Sequence, residues 1–115
     1  MLQAAQIEAA VTEKTRLLVL NNPSNPTGVV IPPQEMERIA AVAEAHDLTI
    51  IADESLDESL AGNLRHKSVA AFREAADRTL IVGSFSYLHG LASWRVGYFA
   101  GPKSIVQPVR DLKQA

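Results

Sequence analysis

The sequence has 115 residues, a formal net charge of −2 at pH 7, 47% hydrophobic residues and no cysteine. That length predicts one domain around one core. The balanced charge leaves no basic footprint for nucleic acid, and no apolar run approaches the ~20 residues that span a bilayer, so no membrane partner is expected. Met1 to Glu8 has neither a basic start nor an apolar stretch, so it does not read as a signal peptide. A chain without cysteine is compatible with the cytosol, and a cytoplasmic protein is expected.

Gln3 to Val11 has the spacing of a short amphipathic helix, and the polar Thr12-Glu13-Lys14-Thr15 follows it. Leu17-Leu18-Val19-Leu20 is a continuous apolar run, as expected for a strand buried on both faces. It ends in Asn21-Asn22-Pro23-Ser24-Asn25-Pro26-Thr27-Gly28, a composition that specifies a shaped loop. Pro32 and Pro33 open a helix, because proline is tolerated where the first-turn amide has no partner. Met36, Ile39, Ala40 and Ala43 give that helix one buried face, and His46-Asp47 closes it. Leu48 to Ala52 reads as a second buried strand that runs into Asp53-Glu54. A polar loop marked by Gly62 and Asn63 follows, then a short helix over Ser68 to Glu74. Thr79 to Val82 is a third buried strand, ending at Gly83-Ser84. Val96 to Ala100 is a fourth, expected to run antiparallel because no crossover helix precedes it, and Ser104 to Lys113 is a final helix. The strand-helix-strand rhythm predicts an α/β fold, a mostly parallel sheet of about four strands with flanking helices.

In an open parallel sheet, ligands bind beyond the carboxyl ends of the strands. Asn25, Asp53 and Ser84 follow the first three strands, and Arg95 starts an antiparallel fourth, so all four fall on one rim. An amide, a carboxylate, a hydroxyl and a guanidinium together suit a small, polar, anionic ligand. Each also has a plainer reading: Asn25 as a turn former, Asp53 as a helix cap, Ser84 as a turn residue, Arg95 as a surface cation. His89 reads as a loop or packing residue, His46 and His66 as surface residues and Trp94 as core packing. No metal site is expected.

The stretch Ser84-Phe85-Ser86-Tyr87 followed by Trp94-Arg95-Val96-Gly97-Tyr98 resembles the S-F-S-K…W-R-x-G-Y segment of the class I/II aminotransferases, fold-type-I pyridoxal phosphate (PLP) enzymes. Asn25-Pro26-Thr27-Gly28 is similar to the family's N-P-x-G loop. The likeness runs from about Glu8 to Pro102, and four short motifs in this order and spacing are specific. It implies PLP as cofactor, and an amino acid and a 2-oxo acid as substrates. It also implies that Asn25 bonds the cofactor's phenolic oxygen, Asp53 the pyridine nitrogen, and Ser84 and Arg95 the phosphate.

Two positions depart from the family pattern. Tyr87 stands where the family has the lysine that bonds covalently to the cofactor and then moves the substrate's proton; a phenol, with an ordinary pKa of ~10, is a poor base near neutrality. Leu56 stands where D-E-x-Y supplies a tyrosine, a second donor to the phenolic oxygen. The family's enzymes are several times longer, so residues 1–115 read as a single partial domain, the middle of the three-layer PLP-binding large domain. Leu17–Leu20 and Val96–Ala100 would then be apolar sheet edges that invite self-association or a complementing chain.

Three readings follow. The first is an aminotransferase piece whose catalysis is impaired. The second is a non-catalytic remnant that binds PLP or another phosphorylated ligand, or serves in oligomerisation; any PLP would be held noncovalently. The third is chemistry without the lysine, in which Tyr87 or His89 moves the proton. A nucleotide-binding Rossmann domain is disfavoured, because no G-x-G-x-x-G follows the first strand.

Overall fold

A computed structural model describes residues 1–114. The elements in chain order are α1 (Ala4–Ala10), β1 (Leu17–Asn21), α2 (Pro33–Ala45), β2 (Thr49–Asp53), α3 (Arg73–Ala76), β3 (Thr79–Ser84), β4 (Gly97–Ala100) and α4 (Lys103–Gln114). Single 3-10 turns occupy Val69–Ala71 and Ala92–Trp94. The strands lie in the order β1-β2-β3-β4, parallel from β1 to β3, with β4 antiparallel to β3. The expected fold class and strand directions are those observed.

Because strand side chains alternate, the register assigns every residue to a face of the sheet. Leu18 and Leu20 on β1 pair with Ile50 and Ala52 on β2. These belong to the core, together with Met36, Ile39, Ala40 and Ala43 of α2 and Val69, Phe72 and Ala75 beyond β2. In α2, buried residues recur every three or four positions, so one stripe meets the sheet. Thr79, also on the core side, satisfies its hydroxyl by donating to the Ala75 carbonyl at 2.8 Å.

The opposite face carries Leu17, Val19 and Asn21 of β1, Ile51 and Asp53 of β2, and Leu80, Val82 and Ser84 of β3. Here the expectation that β1 is buried on both faces fails. Leu17 is exposed and Val19 is 63% exposed, because the three helices that build the core all lie on the other side. A continuous apolar run shows that both faces of a strand can be covered, not that both are. The helix expected over Ser68–Glu74 is instead two pieces, the turn Val69–Ala71 and then α3, separated by an extended Phe72. Trp94, expected in the core, is 74% exposed. Its turn belongs to the loop that leads from β3 to β4 rather than to either packed face.

Helix α1 is held to α2 by polar contacts at both ends. The Ala4 backbone N–H donates to Glu35 Oε1 at 2.7 Å, and His46 Nε2 lies 2.9 Å from Glu8 Oε1. Glu35 also pairs with Arg38 at 3.0 Å. The Ala4 amide holds the Glu35 carboxyl below its ordinary 4.5; desolvation opposes this and Arg38 adds to it. A carboxyl whose folded value is lowered contributes stability above its unfolded value and loses it as pH falls through the folded one. The exchange protection of the Ala4 amide, taken relative to its intrinsic rate at each pH, should therefore fall as pH drops below 4.5, before that of Ile39 or Ala43 in α2 responds. Equal loss of protection at all three would contradict this role for Glu35.

Candidate functional site

Four chain segments reach the same edge of the sheet. Asn21, the last residue of β1, pairs with Asp53, the last of β2; Asp53 pairs with Val82, and Ser84, the last of β3, pairs with Gly97, the first of β4. Asp53 and Ser84 share the face opposite the helix-packed core. An open cleft of about 420 Å³ sits at this edge, lined by Ser55, Ser84, Ser86, Tyr87 and Arg95, with Gly97 among its backbone walls. The sheet therefore gathers Ser84, Tyr87 and Arg95 around one space.

Arg95 is exposed and takes a left-handed backbone conformation, φ 54°, at the end of the Ala92–Trp94 turn. It precedes β4, which begins at Gly97 rather than Val96. Ser84 Oγ accepts from the Ser86 backbone N–H at 3.1 Å, which turns the chain sharply after β3. The Phe85 N–H donates to the Val96 carbonyl at 3.3 Å, and the Leu91 N–H to the Phe85 carbonyl at 3.3 Å, closing the loop that carries Tyr87. The Phe85 ring fills that loop against His89, centroids 5.4 Å apart, and Tyr98 at 5.5 Å. His89, expected to be a loop or packing residue, is an exposed loop residue whose ring meets Phe85 edge-on. The Tyr98 ring lies over Gly83, where a Cβ would overlap it, so glycine is required there for the ring to settle. Partial burial, with the nearby charges of Asp57, Glu54 and Glu58, pushes the Tyr98 phenol above its ordinary 10.0.

Asn25, Asp53 and Leu56 are not in the wall of this cleft. Asp53 Oδ1 accepts from the Ser55 N–H at 3.1 Å, so the carboxylate orients a cleft residue. No helix follows Asp53, which removes the reading of it as a helix cap. Leu56 lies within the hydrogen-bonded turns that follow β2, its carbonyl accepting from the Ser59 N–H at 3.0 Å. Asn25 is exposed, and its backbone N–H donates to Asn21 Oδ1 at 2.6 Å. The loop around it borders a separate hollow lined by Asn21, Ser24 and Thr27.

Sequence reasoning missed Ser55, which the alternation after Asp53 might have flagged, and it misplaced His66. Expected at the surface, the His66 side chain is 8% exposed, wedged between Asn22 and Glu54. Another hollow, under α1, has an almost wholly apolar wall that includes Ile7, Val11, Leu17 and Leu18, and one near Arg16 and His46 lies before β1, away from the edge where the strands end. The apolar hollow offers an anionic ligand no counter-charge, whereas the cleft offers hydroxyls and a guanidinium, the donor set that suits a phosphate dianion. Among the described residues no group of His, Asp or Glu is placed to hold a metal ion, and no helix is long and apolar enough to cross a membrane.

The profile of the family "Aminotransferase class I and II" matches residues 1–115. An aspartate aminotransferase of Geobacillus stearothermophilus is 35% identical over 108 residues, which make up 93% of this chain and 28% of that protein. A bifunctional aspartate aminotransferase and glutamate/aspartate-prephenate aminotransferase of Petunia hybrida is 40% identical over 114 residues, 98% of this chain and 24% of that protein. Among solved structures, the N-succinyldiaminopimelate aminotransferase of Mycobacterium tuberculosis superposes with a TM-score of 0.95 at 35% identity, covering 98% of this chain and 29% of that one. The chain thus spans under a third of the length of these relatives.

Proposed function

This chain belongs to the class I and II aminotransferase family, and from that premise we propose that it forms the central part of a PLP-binding domain whose chemistry is impaired at Tyr87. The observation that carries this reading is the cleft at the carboxyl edge of the sheet that Ser84, Tyr87 and Arg95 share. The reaction of the whole enzyme, moving an amino group between an amino acid and a 2-oxo acid, belongs to the same proposal, as does a cytoplasmic setting.

Arg95 and the Ser84 hydroxyl would hold the cofactor's phosphate, a guanidinium and a hydroxyl being donors that suit a dianion. Ser55 and Ser86 add hydroxyls to the same cleft. Asp53 would pair with the ring nitrogen and keep it protonated, and Asn25, from the loop after β1, would donate to the phenolic oxygen. When bound, PLP supplies an electron sink for the substrate's α-carbon. Tyr87 stands in the S-F-S-K-like motif where the family has its lysine and brings no amine, so PLP would be held noncovalently. Leu56 leaves the phenolic oxygen without a second donor. Lys67 lies over the Phe72 ring, 4.3 Å from its centroid, and no lysine lines the cleft among the described residues.

A PLP titration of the purified chain followed by absorbance should saturate, and Arg95→Ala should weaken it by about 1.5–3 kcal/mol, the worth of hydrogen bonds to a charged group. Tyr87→Lys should then acquire a covalent adduct that borohydride fixes and mass spectrometry detects. Binding that Arg95→Ala leaves unchanged would overturn the assignment of the phosphate cup.

A second reading, association with another copy or a complementing chain, is favoured by the exposed face of β1. Val19 is 63% exposed on a strand that pairs with β2 alone among the described residues. Light scattering should show a mass above that of the single chain, and Val19→Lys should shift it toward the monomer. A monodisperse monomer at high concentration would remove this reading.

A further inference from the structure

We propose that His66 is a positioning residue, a latch between the loops after β1 and β2 that fixes the placement of Asn25 and Asp53. The inference rests on the cofactor reading for what those two residues do, but not for the latch itself.

Alternation sets up the geometry. The Asn22 N–H donates to the Asp53 carbonyl at 3.1 Å and the Glu54 N–H to the Val82 carbonyl at 2.9 Å, so both strands continue one residue past their ends. Asn21 and Asp53 point to the open face, and Asn22 and Glu54 therefore turn toward the core side. Asn22 is 2% exposed and the Glu54 side chain 7%. The His66 ring enters between them from the loop that returns toward Val69.

The hydrogen-bond pattern fixes the polarity of the contact. Asn22 Oδ1 accepts from the Ile31 backbone N–H at 2.8 Å, so the opposite end of its amide, Nδ2, is the donor that meets His66 Nδ1 at 3.1 Å. Nδ1 must then present its lone pair, which leaves the ring proton on Nε2. That nitrogen is buried, lies 3.3 Å from Glu54 Oε2 and makes no hydrogen bond, so the carboxylate faces it as a charge neighbour. The base of the loop is fixed by Lys67 over the Phe72 ring and by Ser68 Oγ accepting from the Ala70 N–H at 3.2 Å. One imidazole thus joins Asn22, which adjoins the Asn21 that orients Asn25, to Glu54, which adjoins Asp53.

The test is amide hydrogen exchange on the full chain, comparing the unmodified protein with His66→Ala and His66→Asn. In His66→Ala, the Ile31 amide (bonded to Asn22) and the Ser55 amide (bonded to Asp53) should exchange about tenfold faster or more, the effect of losing roughly one buried hydrogen bond. Ile39 and Ala43 in α2 should keep their rates. His66→Asn restores an acceptor beside Asn22 but cannot reach Glu54, so Ile31 should slow again while Ser55 stays fast. If the alanine variant does not fold, that split in the asparagine variant decides alone. Changes confined to residues 57–68, or uniform across α2, would overturn the proposal. Where the unmodified chain binds PLP, His66→Ala should weaken it about tenfold, and unchanged affinity would overturn the positioning role. Failure of the unmodified chain to bind PLP would instead defeat the cofactor reading, and exchange would still judge the latch.

Discussion

The parallel ladder that joins Leu17–Asn21 to Thr49–Asp53, and Thr49–Asp53 to Thr79–Ser84, is the constraint on which the remaining structure depends. A parallel pair cannot be closed by a tight turn, so each connection must travel back along the sheet. α2 makes the first return and the segment containing α3 makes the second, on the same side, where their apolar stripes form the core. All three strands then end at one edge, and their last side chains are free to carry polar groups. The antiparallel β4 starts at that edge too, which is why Arg95 can meet Ser84.

The two faces of the sheet divide the work at its edge. Asp53 and Ser84 lie on the face away from the core, and Ser84 lines the cleft. One residue further along each chain, Asn22 and Glu54 lie on the core side and are buried there. Period-two alternation alone separates the residues on the open face from those buried on the core side. Polar side chains buried this way are costly unless paired. The contacts among Asn22, His66, Glu54 and the Ile31 amide are thus as much a part of the fold as the apolar stripe of α2.

Much of this was legible in the sequence. The stripe Met36, Ile39, Ala40, Ala43 announced α2, and three apolar runs that each ended in Asn, Asp or Ser announced strands feeding a common rim. The short connection before Val96, without a clear crossover helix, pointed to the direction of β4. What was not legible depends on distant partners. Residue spacing says which face Leu17 and Val19 occupy but not whether anything covers that face. Trp94 has the size of a core residue, yet its position in a surface turn leaves it 74% exposed. His66 sits in a polar run that reads as solvated, and its burial follows from Asn22, 44 positions earlier. Ser55 enters the cleft only because Asp53 Oδ1 bends the chain after β2.

The central claim is that the rim cleft recognises a phosphate group through Arg95 and the serine hydroxyls. The most direct measurement is a residue-resolved NMR titration of the full chain with pyridoxal phosphate beside unphosphorylated pyridoxal. The account predicts shifts that saturate at Ser84, Ser86, Tyr87 and Arg95 with the phosphorylated ligand and are far weaker without the phosphate. Equal shifts with both ligands, or shifts gathered around Ile7, Val11 and Leu18 in the apolar hollow under α1, would contradict it.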